Sequence, residues 1–556
     1  MIATLETPKS TAAPTAARET PTEVEAKFAV EDPALLEELA ASPSPVSGYC
    51  FGDPATKEQQ DVYLDTQDYH LLRHGYQLRV RAGDSQWRAA LKSRGVGSEV
   101  GIYHRLEIEE LLETANLPAK IGELPEPIVD ALSGIVGKHA QLQAICVLDQ
   151  TRRVRAVTSE SPGRRSESTP ALVELYLDEV RIRSAVDDAI LARAYEIEIE
   201  LAKDVDLAEL QVLADRFMGT YGLVPSTDSK LERALRIISR HPVDSPESWQ
   251  GIRPDLHMGE ACRIIWHEQF MTMLLNEAGV RYSSDPEYVH DARVAIRRAR
   301  AAARLYQDYF KRKGVRRYLK QMRQTAQLLG AVRDMDVAIA KLIGYQQKSR
   351  KKTAGNLQTT LEEWVAKRAK AHHDLVAWLD SENYAEFVCS FLQFCRTPGA
   401  ELAGMAPVAG EAVVPFQVRH VVPTMLLDNF AHVRAYEVWF EQQEEVPLTT
   451  LHRLRIECKY LRYNLEFVGG LLGGESGALV AFLKSLQEDL GDLQDAVVSK
   501  QLLGDGDDNG DGHVIARYEA AQDKVIAKLR RETREDFDRF VGEENRRRLL
   551  CAIANV

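Results

Sequence analysis

The chain lacks the residue patterns that mark several common classes of protein. Its seven cysteines are scattered over 556 residues, are odd in number and form no Cys-x-x-Cys pair. This usage argues against a disulfide framework or a structural zinc site and favours free thiols in a reducing compartment. No apolar run approaches the length of a membrane span, so we expect a cytoplasmic protein without a membrane partner.

The chain also lacks the basic balance of a general nucleic-acid binder. Its formal net charge is −13, with 28% charged and 45% hydrophobic residues, so nucleic acid is not an expected partner. A length of 556 residues is too great for one core and predicts two or three domains. Residues 1–21 are rich in Ala, Thr and Pro, and they are predicted to form a disordered tail rather than a signal peptide.

The hydrophobic pattern changes its period near residue 241. Before that point apolar and polar residues alternate, which predicts strands at 22–29, 60–66, 76–82, 86–93, 102–110, 144–156, 171–180 and 194–202. A linker is predicted at 241–255, and residues 256–550 then show helical spacing. The predicted fold class is α+β multidomain: an antiparallel barrel with a polar lumen and flanking helices at 22–240, then an all-α bundle.

Several predicted strands carry charges on one face. Because side chains alternate between the two faces of a strand, Glu23, Glu25 and Lys27 share a face. The same alternation places together Arg79 with Arg81, Arg105 with Glu107 and Glu109, and Glu196 with Glu198. One alternative is an exposed sheet with cross-strand ion pairs, but the repetition over several strands favours a lumen that holds cations and polyanions.

This charged lumen suits the hydrolysis of a phosphoanhydride, which needs a divalent cation, bases on the phosphate chain and a positioned water. Mg²⁺ or Mn²⁺ prefers carboxylate oxygens, and we predict Glu23 and Glu25 as ligands, joined across the lumen by Glu196 and Glu198. The predicted phosphate-binding residues are Lys27, Arg79, Arg81, Lys92 and Arg105, and the further acids are Glu107, Glu109, Asp178 and Glu179.

The helical half contains a basic stripe twice. On one helix face lie His290, Arg293, Arg297, Arg300 and Arg304, and the same spacing returns as His452, Arg455, Lys459 and Arg462. The element Leu-Gly also recurs, at Leu329-Gly330 and Leu490-Gly491, which predicts two pseudo-symmetric halves. Regular rows of guanidinium groups suit a linear polyanion, whereas a solvated helix face is the alternative. Aromatic residues for base stacking are not interleaved with these bases in the sequence.

These motifs resemble two known families. Glu23-x-Glu25-x-Lys27 resembles the signature of the CYTH superfamily, the triphosphate tunnel metalloenzymes. Supporting matches are Tyr63-Leu64-Asp65-Thr66, Leu78-Arg79-Val80-Arg81, Leu91-Lys92-Ser93, Arg105-Leu106-Glu107-Ile108-Glu109, Leu177-Asp178-Glu179, Glu196-Ile197-Glu198 and Ser229-Lys230. The helical half resembles the CHAD domain through its two stripes.

The resemblance implies an eight-stranded closed tunnel that hydrolyses triphosphate with Mg²⁺ or Mn²⁺, and a helical module that binds inorganic polyphosphate. The resemblance also implies that Glu23 and Glu25 bind the metal and that the lysines and arginines of the tunnel bind phosphate. It adds Lys230 to the phosphate-binding residues predicted above. The predicted catalytic residues are therefore Glu23, Glu25, Lys27, Lys92 and Arg105.

The leading expectation is a cytoplasmic inorganic triphosphatase that cleaves tripolyphosphate to diphosphate and phosphate, tethered to a polyphosphate-binding module. Two alternatives stay open: a class IV adenylate cyclase, and a non-catalytic polyphosphate-binding protein of polyphosphate granules. The oligomeric state is not indicated by the sequence.

Overall fold

The structure is a computed structural model, and it describes residues 22–82, 86–94, 96–97, 102–159, 170–183, 185, 189–226, 228–240, 251–348, 357–403, 410, 413–504 and 512–556. The chain divides into two compact units, Met1–Arg233 and Ala234–Val556. The predicted tail at 1–21, and residues 241–250 of the predicted linker, lie outside the described residues.

The first unit is built on one antiparallel sheet. Its described strands are β1 (Thr22–Val30), β2 (Tyr49–Phe51), β3 (Ala55–Asp65), β4 (Tyr76–Ala82), β5 (Trp87–Ser93), β6 (Val96–Gly97), β7 (Ile102–Leu111), β8 (Gln143–Ser159), β9 (Val173–Arg183), β10 (Ile190–Leu201) and β11 (Val224–Pro225). Eight of them form a closed ring in the order β1-β10-β9-β8-β3-β4-β5-β7, because β7 also pairs with β1. These are the eight strands that the alternating pattern predicts, so the predicted tunnel is confirmed.

Strand β1 closes the ring by pairing on both sides. Glu23 lies opposite Arg105 of β7, and Lys27 lies opposite Glu198 of β10. The expectation that Glu196 and Glu198 face Glu23 and Glu25 across the lumen was therefore wrong. The strands are direct neighbours, because the first and last long strands of the ring pair with each other, and alternation within a strand carries no information about its partner.

Five helices accompany the ring, and they are α1 (Ala34–Ala41), α2 (His70–Arg73), α3 (Glu126–Leu132), α4 (Leu207–Tyr221) and α5 (Lys230–Ile238). Helices α1 to α4 pack on its outer face, and α5 begins at a residue that enters the lumen. Apolar residues of β1 and β10 alternate with the charged ones and pack with Phe217 of α4 in one core cluster. Helix α4 begins where the Asp206 carboxylate accepts the N–H of Ala208, and it ends at Gly222 in the left-handed region. This alternation turns the charges towards the lumen.

The second unit has no strand among its described residues, and its secondary structure is helical apart from isolated β-bridges. Its helices are α6 (Met258–Tyr282), α7 (Glu287–Tyr306), α8 (Arg312–Lys348), α9 (Leu357–Leu379), α10 (Glu382–Arg396), α11 (Val418–Arg434), α12 (Glu437–Gln442), α13 (Leu448–Phe467), α14 (Glu475–Gly504), α15 (Gly512–Val541) and α16 (Glu543–Ile553). The predicted all-α fold is confirmed. None of the described helices is long and apolar enough to cross a membrane.

Candidate functional site

A cavity of about 530 Å³ lies inside the ring of strands. Its walls are polar and combine cations from β1, β4, β5, β7 and β8 with acids from β1, β7 and β10. The lining residues are Glu23, Lys27, Tyr63, Gln77, Arg79, Arg81, Lys92, Arg105, Glu107, Glu109, Gln150, Arg152, Tyr176, Glu198, Glu200, Ser229 and Lys230. The structure thus brings together every phosphate-binding residue predicted for the tunnel.

Lys27 lies between the carboxylates of β1 and β10. Its Nζ atom is 3.2 Å from Glu25 and 2.9 Å from Glu198, and all three side chains are nearly inaccessible. Burial alone would lower the pKa of Lys27, but Glu198, Glu196 and Glu23 raise it above its usual value. Lys27 is therefore a fixed positive charge at neutral pH.

Lys230, at the start of α5, enters a second group of acids. Its Nζ atom is 2.9 Å from Asp178, 3.0 Å from Glu196 and 2.7 Å from Glu198. Arg152 donates to Asp178 at 2.8 and 2.6 Å and to Glu198 at 2.5 Å. Burial would raise the pKa of Asp178 and of Glu198, but these cations hold both below their usual values. The acids are ionised, and their charge is balanced by side chains of this chain.

Glu23 belongs to a third group, formed with strands β5 and β7. Lys92 donates to Glu23 at 2.8 Å and lies 3.1 Å from Glu107, while Arg105 contacts both Glu23 and Glu25. Burial would raise the pKa of Glu23, but Lys92 and Arg105 lower it to about 2. The predicted catalytic residues Glu23, Glu25, Lys92 and Arg105 are thus linked in one group, in which Glu23 contacts both cations and Glu25 contacts Arg105.

Asp61 of β3 is a residue that the sequence reading missed. Its carboxylate accepts two hydrogen bonds from Arg81, at 2.7 and 2.9 Å, and one from Gln150 at 2.5 Å. Arg79 lies 3.5 Å away, and the side chain of Asp61 is fully buried. Burial would raise the pKa of Asp61, but Arg79 and Arg81 lower it to about 2. Alternation with the cavity residue Tyr63, two positions on, could have placed Asp61 on the inner face.

In β8 and β9, consecutive residues lie on opposite faces of the sheet, one towards the lumen and the next on the outside. Asp178 is buried among tunnel cations, whereas Glu179 pairs with the exposed Arg193 at 3.0 Å. The prediction of Glu179 as a further tunnel acid was therefore wrong, because consecutive residues of a strand point to opposite faces. In the same way Arg152 faces the lumen and Arg153 pairs with Glu37 outside it. Glu107 and Glu109 both line the cavity as predicted.

The acids can be tested for their fit to a divalent cation. Oxygen atoms of Glu25 and Glu196 are buried without a hydrogen-bond partner among the described residues, although cations lie near them. Such carboxylate oxygens are the hard donors that Mg²⁺ and Mn²⁺ prefer. The described tunnel acids do not form a ready cluster, because Lys27 and Lys230 separate them. The carboxylates have the chemistry that a divalent cation prefers, and such an ion would compete with Lys27 and Lys230 for their oxygens.

In the helical unit the two predicted stripes lie on packed helices, α7 and α13. Arg455 and Lys459 of α13 lie close enough to Arg293 and Arg297 of α7 for their charges to interact. The Nε atoms of Arg297, Arg455 and Arg462 are buried without a hydrogen-bond partner in the described part of the chain. Burial and the surrounding arginines lower the pKa of Lys459 to about 6. We call Arg293, Arg297, Arg455, Lys459 and Arg462 the central cluster.

The two stripes are held in the same way by the helices that follow them. A Cβ added at Gly330 of α8 would lie 3.6 Å from Arg293, and one at Gly491 of α14 would lie 3.2 Å from Arg455. Arg293 also pairs with Asp334 at 3.2 Å. In each copy an arginine of the stripe thus lies over the glycine of the Leu-Gly element, in ordinary contact distance at Gly330 and more tightly at Gly491.

The remaining stripe residues lie around this cluster. Arg300 lies near Arg323 of α8, and Arg304 donates to Tyr460 at 2.8 Å. His452 lies 2.9 Å from Gln494. A ring nitrogen of His290 and one carboxylate oxygen each of Glu287 and Asp291 lie within 4.8 Å of one another. These contacts keep the stripe on one side of α7.

The expectation that aromatic residues are absent among these bases needs a correction. The ring of Tyr463 lies under Arg297, Arg298 and Arg462, with guanidinium carbons 5.1–6.0 Å from its centroid. Tyr463 is only 1% exposed, so it supports the cations and offers no open face to a base. The sequence places Tyr463 directly after Arg462 on α13, so for the second stripe the expectation was wrong. The contacts of Tyr463 with Arg297 and Arg298 were not predictable, because these arginines lie on the facing helix α7.

A closed β tunnel with a charged lumen, followed by a helical unit with a duplicated basic stripe, defines a two-part protein whose sites both suit polyanions. Residues 21–234 match the CYTH domain and residues 264–504 match the CHAD domain. The chain therefore belongs to the proteins in which a CYTH domain is followed by a CHAD domain.

The chain is similar to proteins of several organisms. The uncharacterized protein Rv2226 of Mycobacterium tuberculosis is 25% identical over 470 residues, which cover 81% of this chain and 82% of that protein. The CHAD domain of the plant Ricinus communis shares 21% identity, over 52% of this chain and 93% of that chain, with a TM-score of 0.41. A putative adenylyl cyclase from Hippeastrum, described as having a dominant triphosphatase activity, shares 24% identity with this chain. The match covers 38% of this chain and 93% of that chain, with a TM-score of 0.28.

Proposed function

We propose that the first unit is a divalent-metal-dependent triphosphatase that cleaves inorganic tripolyphosphate to diphosphate and phosphate. The observation that carries this proposal is the cavity inside the ring, where Lys27, Arg79, Arg81, Lys92 and Arg105 all face one space of about 530 Å³. A short, highly charged phosphate chain is a ligand that such a concentration of cations would neutralise.

The residues of the tunnel would divide the work by position. Arg79 and Arg81, aligned by Asp61, would hold phosphate oxygens of the substrate. Lys92 and Arg105, which both contact Glu23, would hold further phosphate oxygens. Mg²⁺ or Mn²⁺ would be held by neighbouring carboxylates of the predicted set, Glu23 with Glu25 or Glu196 with Glu198, because the register of β1 with β10 separates the two pairs. The ion would supply charge neutralisation at the phosphate oxygens. Glu200 lines the cavity, and burial and Glu23 raise its pKa. It is therefore suited to accept a proton from an attacking water.

Phosphate release from tripolyphosphate by the pure chain tests this activity. With Mg²⁺ or Mn²⁺ present, wild type should release phosphate, and Glu25→Gln should abolish the release. Glu179→Gln makes the same chemical change on the outer face of the ring and serves as the matched control. A panel of nucleoside triphosphates extends the assay. Formation of cyclic AMP from ATP would favour a cyclase instead, and the absence of phosphate release from every substrate would overturn the proposal.

For the helical unit we propose binding of inorganic polyphosphate. The buried, unpaired Nε atoms of Arg297, Arg455 and Arg462 support this proposal, because such groups gain most from an anionic ligand. Arg297→Ala/Arg455→Ala should weaken binding of polyphosphate measured with a chelator present. Binding without any hydrolysis would instead indicate a non-catalytic protein of cytoplasmic polyphosphate granules, which imaging in cells with and without polyphosphate would test.

A further inference from the structure

The first turns of α8 carry a basic surface that lies outside the two stripes. Its members share one exposed side of the helix, and they are Arg312, Lys313, Arg316, Lys320 and Arg323. At 100° and 1.5 Å per residue, these positions lie within an arc of about 100° and a length of about 16 Å. We call these residues the α8 surface.

The charges of the α8 surface are poorly compensated within the chain. Arg312 lies 3.7 Å from Asp308, and both side chains are largely exposed, so this pair contributes little. For Lys313, Arg316, Lys320 and Arg323, the described residues provide no carboxylate within 4.0 Å. Four cations on three turns repel one another, and a polyanion would remove that repulsion.

The α8 surface continues the stripe of α7. Helices α7 and α8 pack against each other, and Arg323 lies near Arg300, whose pKa is lowered by burial and by the charge of Arg323. Arg300 follows Arg293 and Arg297 on α7, and these two belong to the central cluster. A row of cations therefore leads from the central cluster through Arg300 and Arg323 to Arg312.

Only one half of the duplicated unit has this row. Aligning Gly330 with Gly491 places Gly474, Gly477, Ala481 and Lys484 at the positions of Lys313, Arg316, Lys320 and Arg323. The second half thus keeps a single cation where the first has four. The packing arginines recur in both halves, whereas the exposed ones do not, so the fold does not require them.

We propose that the α8 surface is a second binding segment for inorganic polyphosphate, reached only by chains that extend beyond the central cluster. The proposal deepens the function proposed for the helical unit and rests on it. Guanidinium forks bind phosphate oxygens bidentately, and an open helix face lets a flexible chain contact successive cations. The consequence is a preference for long chains over tripolyphosphate.

Binding of two chain lengths by the full-length protein, with a chelator present, tests the proposal. Lys313→Ala/Arg316→Ala/Lys320→Ala should lower the affinity for long-chain polyphosphate roughly ten-fold or more, and leave that for tripolyphosphate unchanged. A plot of log affinity against log salt concentration has a negative slope. If each contact releases counterions as on single-stranded nucleic acid, this slope should be less steep by about 2 in the triple variant than in wild type.

Two control variants accompany the triple variant. Arg531→Ala/Arg546→Ala/Arg547→Ala removes three exposed positive charges of α15 and α16 and should leave the affinity for long chains unchanged. Lys313→Arg/Arg316→Lys/Lys320→Arg keeps the charges and should retain most of the affinity. Thermal unfolding of each variant checks that the helical unit is folded.

The outcomes separate this proposal from the one on which it rests. Wild-type affinity of the triple variant for long chains, or an equal loss for both chain lengths, would overturn the α8 surface alone. Wild type could also bind single-stranded DNA of equal charge as tightly as polyphosphate, and the triple variant could lose the same affinity for both. That result would show a general polyanion site and overturn the assignment to polyphosphate. Failure of wild type to bind any polyphosphate would overturn the proposed function as well.

Discussion

Asp61 organises two cations of the tunnel through one buried carboxylate. Its hydrogen bonds with Arg81, at 2.7 and 2.9 Å, fix the plane of that guanidinium, and Arg79 is held beside it. A free arginine side chain would lose rotamer entropy when it binds phosphate, and one that is already fixed loses less. Asp61 is therefore a positioning residue for substrate.

Asp61→Asn should lower kcat/KM for tripolyphosphate by roughly 10- to 100-fold, mainly through KM, because charged hydrogen bonds that align Arg81 are lost. Steady-state phosphate release checks this. Asp149→Asn is the matched control, because Asp149 pairs with Arg183 at 2.8 Å and does not line the cavity. An unchanged KM in Asp61→Asn would show that Arg79 and Arg81 do not depend on it.

Lys459 stands in an unusually positive environment. Burial lowers its pKa to about 6, with Arg455 and Arg462 on its own helix and Arg293 and Arg297 on α7 adding to the effect. Three acids lie near these arginines: Asp334 pairs with Arg293, Asp495 interacts with Arg455, and Glu466 pairs with Arg462 at 3.2 Å. Lys459 is therefore mostly neutral at pH 7.5 in the free protein, and an anion in the cluster would favour its protonation.

Proton uptake by Lys459 predicts pH-dependent binding. The pKa in the complex is above that in the free protein, so polyphosphate affinity should fall as the pH rises from about 6, and it should be greatest below that value. Titration calorimetry in buffers of different ionisation enthalpy measures the protons taken up. Lys459→Arg keeps its charge throughout this range, and it should flatten the profile. An unaltered pH profile in this variant would contradict the role of Lys459.

At the scale of elements, glycines decide how closely the helices of the second unit approach. Gly279 of α6 faces Tyr288 of α7, and an added Cβ would come closer than 3.0 Å to atoms of that ring. Gly330 of α8 leaves ordinary contact distance, 3.6 Å, to Arg293. Both positions are interior to helices, so alanine gains the same backbone stability in each.

Gly279→Ala and Gly330→Ala therefore form a matched pair. Gly330→Ala should raise the stability of the helical unit by up to about 1 kcal/mol. Gly279→Ala should lower it by about 1–2 kcal/mol, because the Tyr288 ring must move and the α6–α7 packing loosens. The midpoint of thermal unfolding of the full-length chain distinguishes them. Equal shifts of the same sign would contradict this account of the α6–α7 contact.

Periodicity in the sequence is enough to find most elements but not their partners. The eight ring strands and helix α4 were predictable because each carries its own alternation or helical spacing. The pairing of β1 with β10 was not, because it joins segments far apart in the chain. The end of helix α7 at Tyr306 was not predictable either, because Phe310 forms a bridge with Leu402, a contact that local sequence does not encode.

The candidate sites show the same limit. Lys27, Arg79, Arg81, Lys92 and Arg105 were predictable from alternation and motif, since each belongs to a strand with a charged face. Asp61, Gln150 and Tyr176 were missed. Asp61 and Gln150 stand in polar runs of β3 and β8, where inner and outer positions carry the same kinds of side chain and no charged face stands out. What unites them is the closure of the ring, which brings inner faces of different strands around one space.

For the whole molecule, the two proposed chemistries depend on different side chains. Metal removal by a chelator should abolish phosphate release, which requires a bridging cation, and should leave polyphosphate binding by the helical unit within about two-fold, since arginines carry it. Parallel assays of hydrolysis and binding on the same preparation test this. Loss of binding on chelation, restored by Mg²⁺, would mean that a metal takes part in both.

The closure of the ring also has a consequence for how the chain is made. Strand β1 leaves the ribosome early, but its partner β10 begins at Ile190, about 160 residues after β1 ends at Val30. At 5–20 residues per second, β1 waits roughly 8–32 s for that partner. During this interval the edge of β1 that pairs with β10 is open, even when β7 has paired with the start of β1. We expect a newly made chain to present this edge as a binding segment for chaperones until the ring closes.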